Sequence, residues 1–303
     1  MEPTITVLMP VHNVEKYVGT AIESILCQTF EDFQLLIIDD ASTDHTVDII
    51  SQYKDNRIRC IKNKINIGIA SSLNKGLTMT NSPYVARMDG DDISESTRFE
   101  KQLAYMKANP NLSILGSHMK LIDENGNVLK VQPKEIGYTN IKLGLFFGRT
   151  SLAHPSLLIR KSQLDKYHLR YDSAFAYAED YDLYCRACHY LELDNYPEYF
   201  IQYRIHSDSV SQKFHERQIL DAKMALYLHL QRLKFPINRQ NFHTHSLLSF
   251  HPSIWTDDML YDVIQWIKYL ITWNKETQMF PHVLFCEYCN KIFSEIKQRS
   301  EML

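Results

Sequence analysis

The sequence predicts an α/β protein with a mainly parallel central sheet flanked by helices. Over the first 90 residues, apolar strand segments alternate with amphipathic helix segments, the connections are short, and polar clusters follow several strands. Near-continuous apolar strands are typical of a parallel sheet covered on both faces. Because ligands of such sheets bind beyond the carboxyl ends of the strands, the polar clusters mark the expected site.

Each element follows from its local pattern. The early strands are expected at Ile5–Pro10, Phe33–Ile38, Arg57–Ile61 and Tyr84–Met88, and the early helices at Glu15–Leu26, Asp44–Tyr53 and Ala70–Met79. Later elements are a helix over 95–109, a hairpin around 123–127, a strand near 157–160, and helices over 218–233, 257–273 and 283–297. We therefore expect a main domain over 1–212 and a helical C-terminal extension over 213–303.

The composition is that of an ordinary globular protein of 303 residues. Its net charge of -3 gives no indication that the protein binds nucleic acid. No apolar stretch reaches the roughly 18 residues that span a bilayer, and the chain begins with a strand pattern instead of a signal peptide. The cytoplasm is the expected compartment. The aromatic segment 259–270 is typical of a buried helix; peripheral contact with the inner membrane face, or with a second subunit, stays open.

The stretch Asp89-Gly90-Asp91-Asp92 places three carboxylates directly behind a strand. Carboxylates this close raise one another's pKa unless a cation is supplied, and their oxygens suit Mg²⁺ or Mn²⁺, which commonly bind substrate phosphates as well. The alternative is an acidic turn before the helix start at Ser94–Thr97. A second polar cluster, at 39–44, follows the second strand, so both are expected at one edge of the sheet.

Six cysteines include two pairs with Cys-x-x-Cys spacing, Cys185 with Cys188 and Cys286 with Cys289. Both pairs lie in helical patterns without the turn residues of a zinc knuckle, which favours packing as small apolar side chains. A joint zinc site is the alternative. Disulfides are not expected in a cytoplasmic chain.

The usual nucleotide signatures are missing from the sequence. It contains neither Gly-x-Gly-x-x-Gly after the first strand nor a P-loop, which disfavours dinucleotide oxidoreductases and P-loop NTPases. A nucleotidyltransferase is disfavoured because residues 11–14 are not a Gly-rich basic loop. A metal-bound pyrophosphate beside a base pocket suggests a nucleotide-sugar.

Several motifs, in order, resemble those of family 2 glycosyltransferases, and the resemblance covers about residues 4–212. They are Pro10-Val11-His12-Asn13, Gln28-Thr29-Phe30, Ile38–Asp44, Asn66-Ile67-Gly68, Asp89–Asp92 and Glu179–Leu183. The resemblance implies an inverting enzyme with the GT-A nucleotide-diphospho-sugar transferase fold. Tyr203–His206, followed by Val210-Ser211, is among further segments most similar to bacterial lipooligosaccharide β-1,3-N-acetylglucosaminyltransferases.

The resemblance also implies roles for particular residues. Asp180 is the expected catalytic base, with Glu179 beside it; the expected metal ligands are Asp91, His206 and Asp92; and His154 is expected near the acceptor. The expected nucleotide-binding residues are Pro10, Val11, His12, Asn13, Glu15, Asp40, Asn66, Gly68 and Asp89. Asp40 is expected to accept the uracil N3–H, so UDP is the expected nucleotide.

The reaction that these roles imply is transfer of a sugar from a UDP-sugar to a saccharide or glycolipid, assisted by Mn²⁺ or Mg²⁺. UDP-GlcNAc and a β-1,3 linkage are expected, in surface polysaccharide or lipooligosaccharide synthesis. UDP-galactose and UDP-glucose are alternative donors. A non-catalytic scaffold in a glycan assembly complex is a second alternative, although every motif carboxylate is present.

Overall fold

The computed structural model describes residues 2–207, 213–252 and 254–301. Its first four strands are parallel, as predicted: β1 (Ile5–Val11), β2 (Phe33–Asp39), β3 (Ile58–Lys62) and β4 (Tyr84–Arg87) lie in the order β3-β2-β1-β4. They are connected by helices α1 (Val18–Leu26), α2 (Thr46–Gln52) and α3 (Ile69–Met79). The register pairs Val11 with Asp39 and Asp39 with Lys62, so the strands end at a common edge.

Helix α1 begins at Val18, later than the predicted start at Glu15. The backbone N–H of Glu15 donates to Asp44 Oδ2 at 3.0 Å, and the Glu15 carboxylate accepts from the backbone N–H of His45 at 2.8 Å. These bonds hold the segment after β1 as a turn against the segment after β2. The segments that follow β1 and β2 are therefore joined at the sheet edge.

The remaining strands are β5 (Ile93–Ser94), β6 (Leu112–Ile122), β7 (Val128–Gln132), β8 (Leu158–Arg160) and β9 (Glu192–Arg204). The predicted hairpin is confirmed, because β6 and β7 are antiparallel neighbours. Strand β8 runs antiparallel to both β4 and β6, whereas β9 is parallel to β6 and antiparallel to β5. Parallel pairing is thus confined to β1–β4 and to β6 with β9.

The 13-residue strand β9 lies where the sequence predicts no strand. Proline is disfavoured inside strands because it cannot donate to the ladder, and Pro197 interrupts the pattern here. The structure accommodates it with an irregularity: Ser117 pairs with Tyr196 and the next residue, His118, pairs with Tyr199. Pro197 and its neighbour are bulged out of the ladder, and the strand continues to the sheet edge.

The other helices in the described parts of the chain surround this sheet. They are α4 (Arg98–Ala108), α5 (Tyr138–Phe146), α6 (Lys161–Lys166), α7 (Glu179–Ala187), α8 (His215–Arg232), α9 (Arg239–Ser246), α10 (Asp257–Thr277) and α11 (His282–Glu301). The three predicted C-terminal helices are confirmed as α8, α10 and α11, whereas α5, α6 and α9 were not predicted. The domain boundary expected at 212, and Val210-Ser211 of the resemblance, fall on residues 208–212, outside the described residues.

Buried apolar side chains cover both faces of the sheet, and the cluster on one face extends into the C-terminal helices. Phe146 of α5 stacks on Trp273 of α10 with ring centroids 5.7 Å apart. On α10, Val263 and Leu270 are buried while Tyr261 is 63% exposed. No helix in the described ranges is long and apolar enough to cross a membrane.

The six cysteines are free thiols. Cys185, Cys188 and Cys289 are buried, and Cys286 is partly buried. Within the described residues, no group of candidate metal ligands combines the two Cys-x-x-Cys pairs.

Candidate active site

Three carboxylates crowd the turn that follows β4. One oxygen from each of Asp89, Asp91 and Asp92 lies within 4.8 Å of the others. Gly90 lets this turn approach β1, because a Cβ at that position would lie 2.6 Å from Val11 Cγ1. Burial and the two neighbouring carboxylates raise the pKa of Asp92 well above its usual value. Negative charges held this close favour the binding of a cation.

Arg87, at the end of β4, offsets part of this charge. Its side chain is buried and pairs with Asp89. Burial disfavours the charged guanidinium, but the attraction of Asp89 outweighs burial and raises the pKa of Arg87. The sequence does carry a signal for this residue, because a charged side chain inside an apolar strand is costly unless it is paired.

Asp92 fastens the acidic turn to the end of β9. Its Oδ1 accepts the backbone N–H of Arg204 at 2.8 Å, and the Arg204 guanidinium donates to the backbone carbonyl of Asp91 at 2.9 Å. Asp92 Oδ2 is buried and has no hydrogen-bond partner among the described residues. An unsatisfied carboxylate oxygen beside two other carboxylates fits the preference of a hard divalent cation for oxygen ligands.

His206, which follows the end of β9, completes this cluster. Its Nε2 lies 3.0 Å from Asp91 Oδ2, and its ring lies 5.0 Å from that of Tyr17 between centroids. The four residues Asp89, Asp91, Asp92 and His206 therefore meet at one place. Three carboxylates and an imidazole fit Mn²⁺ or Mg²⁺ by the chemistry of their donor atoms.

Glu179 and Asp180 begin helix α7. Burial and the neighbouring charge of Asp180 raise the pKa of Glu179 to about 8. Burial also raises the pKa of Asp180, although a hydrogen bond from the backbone N–H of Tyr181 to Asp180 Oδ1, at 2.7 Å, acts in the opposite direction. A carboxylate with a raised pKa is a better proton acceptor than an exposed aspartate.

His154 lies beside this helix start, in a short 3₁₀ turn. Its Nε2 is 3.0 Å from the Tyr171 hydroxyl. Burial, together with the charge of Arg87, lowers the pKa of His154 well below its usual value. The ring is therefore neutral at physiological pH, and each ring nitrogen has a polar neighbour.

These groups face a common cavity of about 280 Å³. Among the predicted residues, its walls include Asp89, Asp91, His154, Glu179 and Asp180. A second cavity, of about 660 Å³, extends from Asp180 towards the C-terminal helices and is lined there by residues of α8 and α11. Asp180 is thus at the junction of two cavities.

Lys134 also lines both cavities, and the sequence patterns do not single it out. Burial lowers its pKa, while the charge of Asp180 acts against this shift. Its backbone N–H donates to His118 Nδ1 at 3.0 Å, which fixes the segment after β7 beside the site. Nothing local marks such a lysine, because its position between β7 and α5 depends on the packing of α5 against α7.

Asp40 organises a neighbouring loop at the same sheet edge. Its Oδ1 accepts from Asn63 Nδ2 at 2.8 Å and from the backbone N–H of Ile67 at 2.9 Å, and its Oδ2 accepts from the backbone N–H of Gly68 at 2.8 Å. Asn66 Oδ1 receives the same Gly68 N–H at 3.1 Å. Gly68 has φ +82°, a conformation that glycine adopts readily. Asp40 Oδ2 keeps a lone pair for a further donor.

The segment after β1 lies against Asp40. The ring of His12 bonds the Asp40 carbonyl oxygen through Nδ1 at 2.9 Å, and Asn13 Oδ1 accepts the backbone N–H of Thr43 at 2.8 Å. Pro10 and Val11 are buried at the end of β1, next to this segment. Asn13, Glu15 and His206 line a separate small cavity of about 140 Å³. The predicted nucleotide and metal residues are therefore adjacent.

Comparison with known proteins identifies the family of this chain. A model of "Glycosyl transferase family 2" matches residues 6–168. The O-antigen biosynthesis glycosyltransferase WbnJ of Escherichia coli is 37% identical over 214 residues, which is 68% of this chain and 81% of the relative.

Two solved structures share the fold at low sequence identity. S. aureus TarS in complex with UDP-GlcNAc has a TM-score of 0.58 and 16% identity, covering 98% of this chain and 92% of that one. The mannosyltransferase PcManGT of Pyrobaculum calidifontis, in complex with GDP-Man and Mn²⁺, has a TM-score of 0.58 and 11% identity, covering 100% and 84%. The predicted GT-A fold is confirmed, and the chain is a glycosyltransferase that belongs to glycosyl transferase family 2.

Proposed function

We propose that this enzyme transfers a sugar, with inversion at the anomeric carbon, from a UDP-sugar to a saccharide or glycolipid acceptor in surface polysaccharide synthesis. UDP-GlcNAc is the proposed donor and β-1,3 the proposed linkage. The observation that carries the proposal is that Asp180 and the acidic turn line one cavity of about 280 Å³. A proton acceptor and a diphosphate site beside the same space suit a single displacement.

Asp180 is the proposed catalytic base. Its carboxylate takes the proton of an acceptor hydroxyl while that oxygen bonds to the anomeric carbon, and the bond from this carbon to the diphosphate oxygen breaks. The products are the β-glycoside and UDP. Burial of Asp180, which raises its pKa, supports this role. Glu179 is a positioning residue that holds a proton beside the base and limits the negative charge at the start of α7.

Asp91 and His206, with Asp92, are the proposed ligands of a divalent ion, Mn²⁺ or Mg²⁺. When bound, such an ion neutralises the negative charge of a departing diphosphate. Asp89 is held by Arg87, so we assign it to contacts with the nucleotide. The unpartnered Oδ2 of Asp92 and the 3.0 Å contact of His206 with Asp91 support the metal assignment.

The nucleoside is assigned to the edge formed by His12, Asn13 and Asp40. Asp40 Oδ2, which accepts from one donor among the described residues, can accept the N3–H of uracil, and cytosine has no hydrogen at that position. The bonds of Asp40 to the loop at 63–68 hold its carboxylate in place before the base arrives. Glu15, Asn66 and Gly68 shape the rim of this pocket.

The acceptor is assigned to the larger cavity beyond Asp180. It opens between the catalytic helix and α8 and α11, and its walls include Arg149, His215 and Arg299. His154 lines the smaller cavity together with Asp180. The relative named for O-antigen biosynthesis supports a surface-glycan acceptor. A lipid-linked acceptor would place the enzyme at the inner face of the membrane.

The solved structures support the donor and the ion. TarS was crystallised with UDP-GlcNAc and PcManGT with GDP-Man and Mn²⁺. We therefore propose measuring UDP release with a panel of UDP-sugars and GDP-mannose, with Mn²⁺ or Mg²⁺ and saccharide acceptors. The wild type should turn over one UDP-sugar in a metal-dependent way.

Asp180→Asn should lower kcat by roughly 10²- to 10⁴-fold, the usual contribution of a general base. Asp262→Asn is the matched control, because Asp262 is exposed on α10 and should retain wild-type activity. Equal activity of Asp180→Asn and wild type would overturn the assignment of the base. Metal-dependent UDP binding without transfer to any acceptor would favour a scaffold.

A further inference from the structure

A cluster of one thiol and two imidazoles lies at the opposite end of α7 from Asp180. One ligand atom from each of Cys188, His189 and His229 lies within 4.8 Å of those of the other two. Cys188 and His229 are almost fully buried, at 1% exposure each. His189 is half-buried, which leaves a path from solvent to the cluster. None of these residues takes part in the sugar-transfer site.

The two histidines each have a nitrogen that the fold leaves unused. The Nε2 atoms of His189 and His229 are buried, and neither has a hydrogen-bond partner among the described residues. Buried polar atoms normally have a partner, because leaving one unsatisfied costs free energy. Two such atoms beside a buried thiol indicate that a ligand normally satisfies them.

His229 is also oriented in the way that protein metal ligands commonly are. Its Nδ1 bonds the carbonyl oxygen of Cys185 at 3.1 Å, so the ring donates its proton there and presents the lone pair of Nε2 to the cluster. A metal-binding histidine usually donates its second nitrogen to a carbonyl or carboxylate, which fixes the tautomer. The ring of His229 lies 5.4 Å from that of His189 between centroids.

We propose that Cys188, His189 and His229 bind a zinc ion. Thiolate sulfur and imidazole nitrogen are preferred zinc ligands, whereas Mg²⁺ and Mn²⁺ prefer oxygen. Lys142 and Arg232 act electrostatically on both histidines, so a cation at this place needs an anionic ligand, and the thiolate of Cys188 supplies one. Closing the cluster on the ion requires the three ligand atoms, which already lie within 4.8 Å of one another, to reach about 2.0–2.3 Å from a common centre.

The proposed zinc joins the catalytic helix to the C-terminal extension. Cys188 is the C-cap of α7, whose first residues are Glu179 and Asp180, and His229 lies in the last turns of α8. These helices are in direct contact, and α8 also lines the larger cavity through His215 and Gln218. A bound ion would thus hold the acceptor side of the site against the base.

The test uses the full-length enzyme loaded with cobalt in place of zinc. A thiolate bound to Co²⁺ produces a charge-transfer band in the near ultraviolet, and an ion held at the acidic turn, which has no sulfur, does not. We expect this band in the wild type and in Cys289→Ser, which removes a buried cysteine elsewhere. Cys188→Ser should abolish the band, and His229→Gln should weaken cobalt binding at least tenfold.

X-ray absorption of zinc-loaded wild-type protein provides a second readout that needs no variant. The expected shell contains one sulfur at about 2.3 Å and nitrogen at about 2.0 Å. A shell of oxygen atoms alone, or a cobalt band that survives in Cys188→Ser, would overturn the proposal. Absence of the band from wild-type protein at saturating cobalt would do the same.

Discussion

His154 Nδ1 lies 3.8 Å from Glu179 Oε1, and each side chain is only 9% exposed. In spite of this distance the two do not form an ion pair at neutral pH. Burial lowers the pKa of His154 and raises that of Glu179, so the neutral imidazole faces a protonated carboxyl group. Burial of two charges would cost more than their attraction returns. The start of α7 therefore holds its negative charge mainly on Asp180.

Replacement of Glu179 should change the pH dependence of the reaction. The pKa of Glu179 is about 8, so in the wild type its proton leaves as the pH rises through this value, and kcat/KM should fall above it because a second negative charge then stands beside Asp180 and repels the anionic donor. Glu179→Gln removes the group that titrates near 8 and this source of negative charge. Activity should then persist to higher pH. The measurement is a profile of kcat/KM against pH.

Glu287→Gln is the control for this profile, because Glu287 is exposed on α11. Its curve should superimpose on that of the wild type. If Glu179→Gln also superimposed, Glu179 would have no influence on the base. A loss of kcat at all pH values, without any displacement of the curve, would likewise contradict the expectation.

His206→Gln should weaken the binding of the divalent ion. His206 contacts Asp91 at 3.0 Å, and loss of such a partner at a metal site commonly lowers affinity about 10- to 100-fold. The measurement is the Mn²⁺ concentration that gives half-maximal UDP binding in calorimetry. His243→Gln, at an exposed position of α9, should leave that concentration unchanged. Equal Mn²⁺ concentrations for His206→Gln and the wild type would show that His206 does not contribute to metal binding.

Asp40→Asn should destabilise the loop that follows β3 and weaken UDP binding. The carboxylate accepts from three donors, and an amide replaces one acceptor oxygen by a donor that faces other donors. The loss of hydrogen bonds to a charged group should lower the free energy of unfolding by about 1.5–3 kcal/mol. Urea unfolding and UDP titration measure the two effects, with Asp262→Asn as the control. Unchanged stability would mean that these bonds are not formed in solution.

Tyr288→Phe tests whether α11 is part of the folded core. The Tyr288 hydroxyl donates to Glu135 Oε1 at 2.6 Å, and Glu135 Oε2 accepts from Ser151 at 2.5 Å. Removal of this bond to a carboxylate should lower the free energy of unfolding by about 1.5–3 kcal/mol. Tyr261→Phe, at a hydroxyl on the exposed face of α10, should change it by less than about 0.5 kcal/mol. Similar changes in the free energy of unfolding for both variants would show that α11 is not part of the folded core.

The sheet edge is the part of the site that sequence predicts best. Strands β1, β2 and β4 are short apolar runs that end in polar residues, and parallel pairing alone then brings His12, Asp40 and Asp89 to a common edge. The motifs add Asp180 and His206, which the structure places beside the same edge. Their roles remain predictions until the variants above are measured.

The rest of the site depends on contacts that no local pattern reveals. Lys134 lies beside Asp180 because α5, which follows it, packs against α7. Strand β9 was missed because Pro197 breaks its pattern. The bonds of Asp40 to the segment at 63–68 depend on how β3 is aligned with β2. Such details are products of tertiary packing, so they follow from the sequence only through the whole fold.

The hydrogen bond between Asp92 and Arg204 joins positions 112 residues apart in the chain. During synthesis the aspartates leave the ribosome long before β9 does, and their charges repel one another until Arg204 and His206 arrive. Contacts this distant in sequence form late, because the intervening loop must close first. A nascent chain therefore lacks the completed acidic cluster, and we expect nucleotide affinity to appear together with the docking of β9. Ligand binding could then serve as a direct measure of how much newly made protein has completed its sheet.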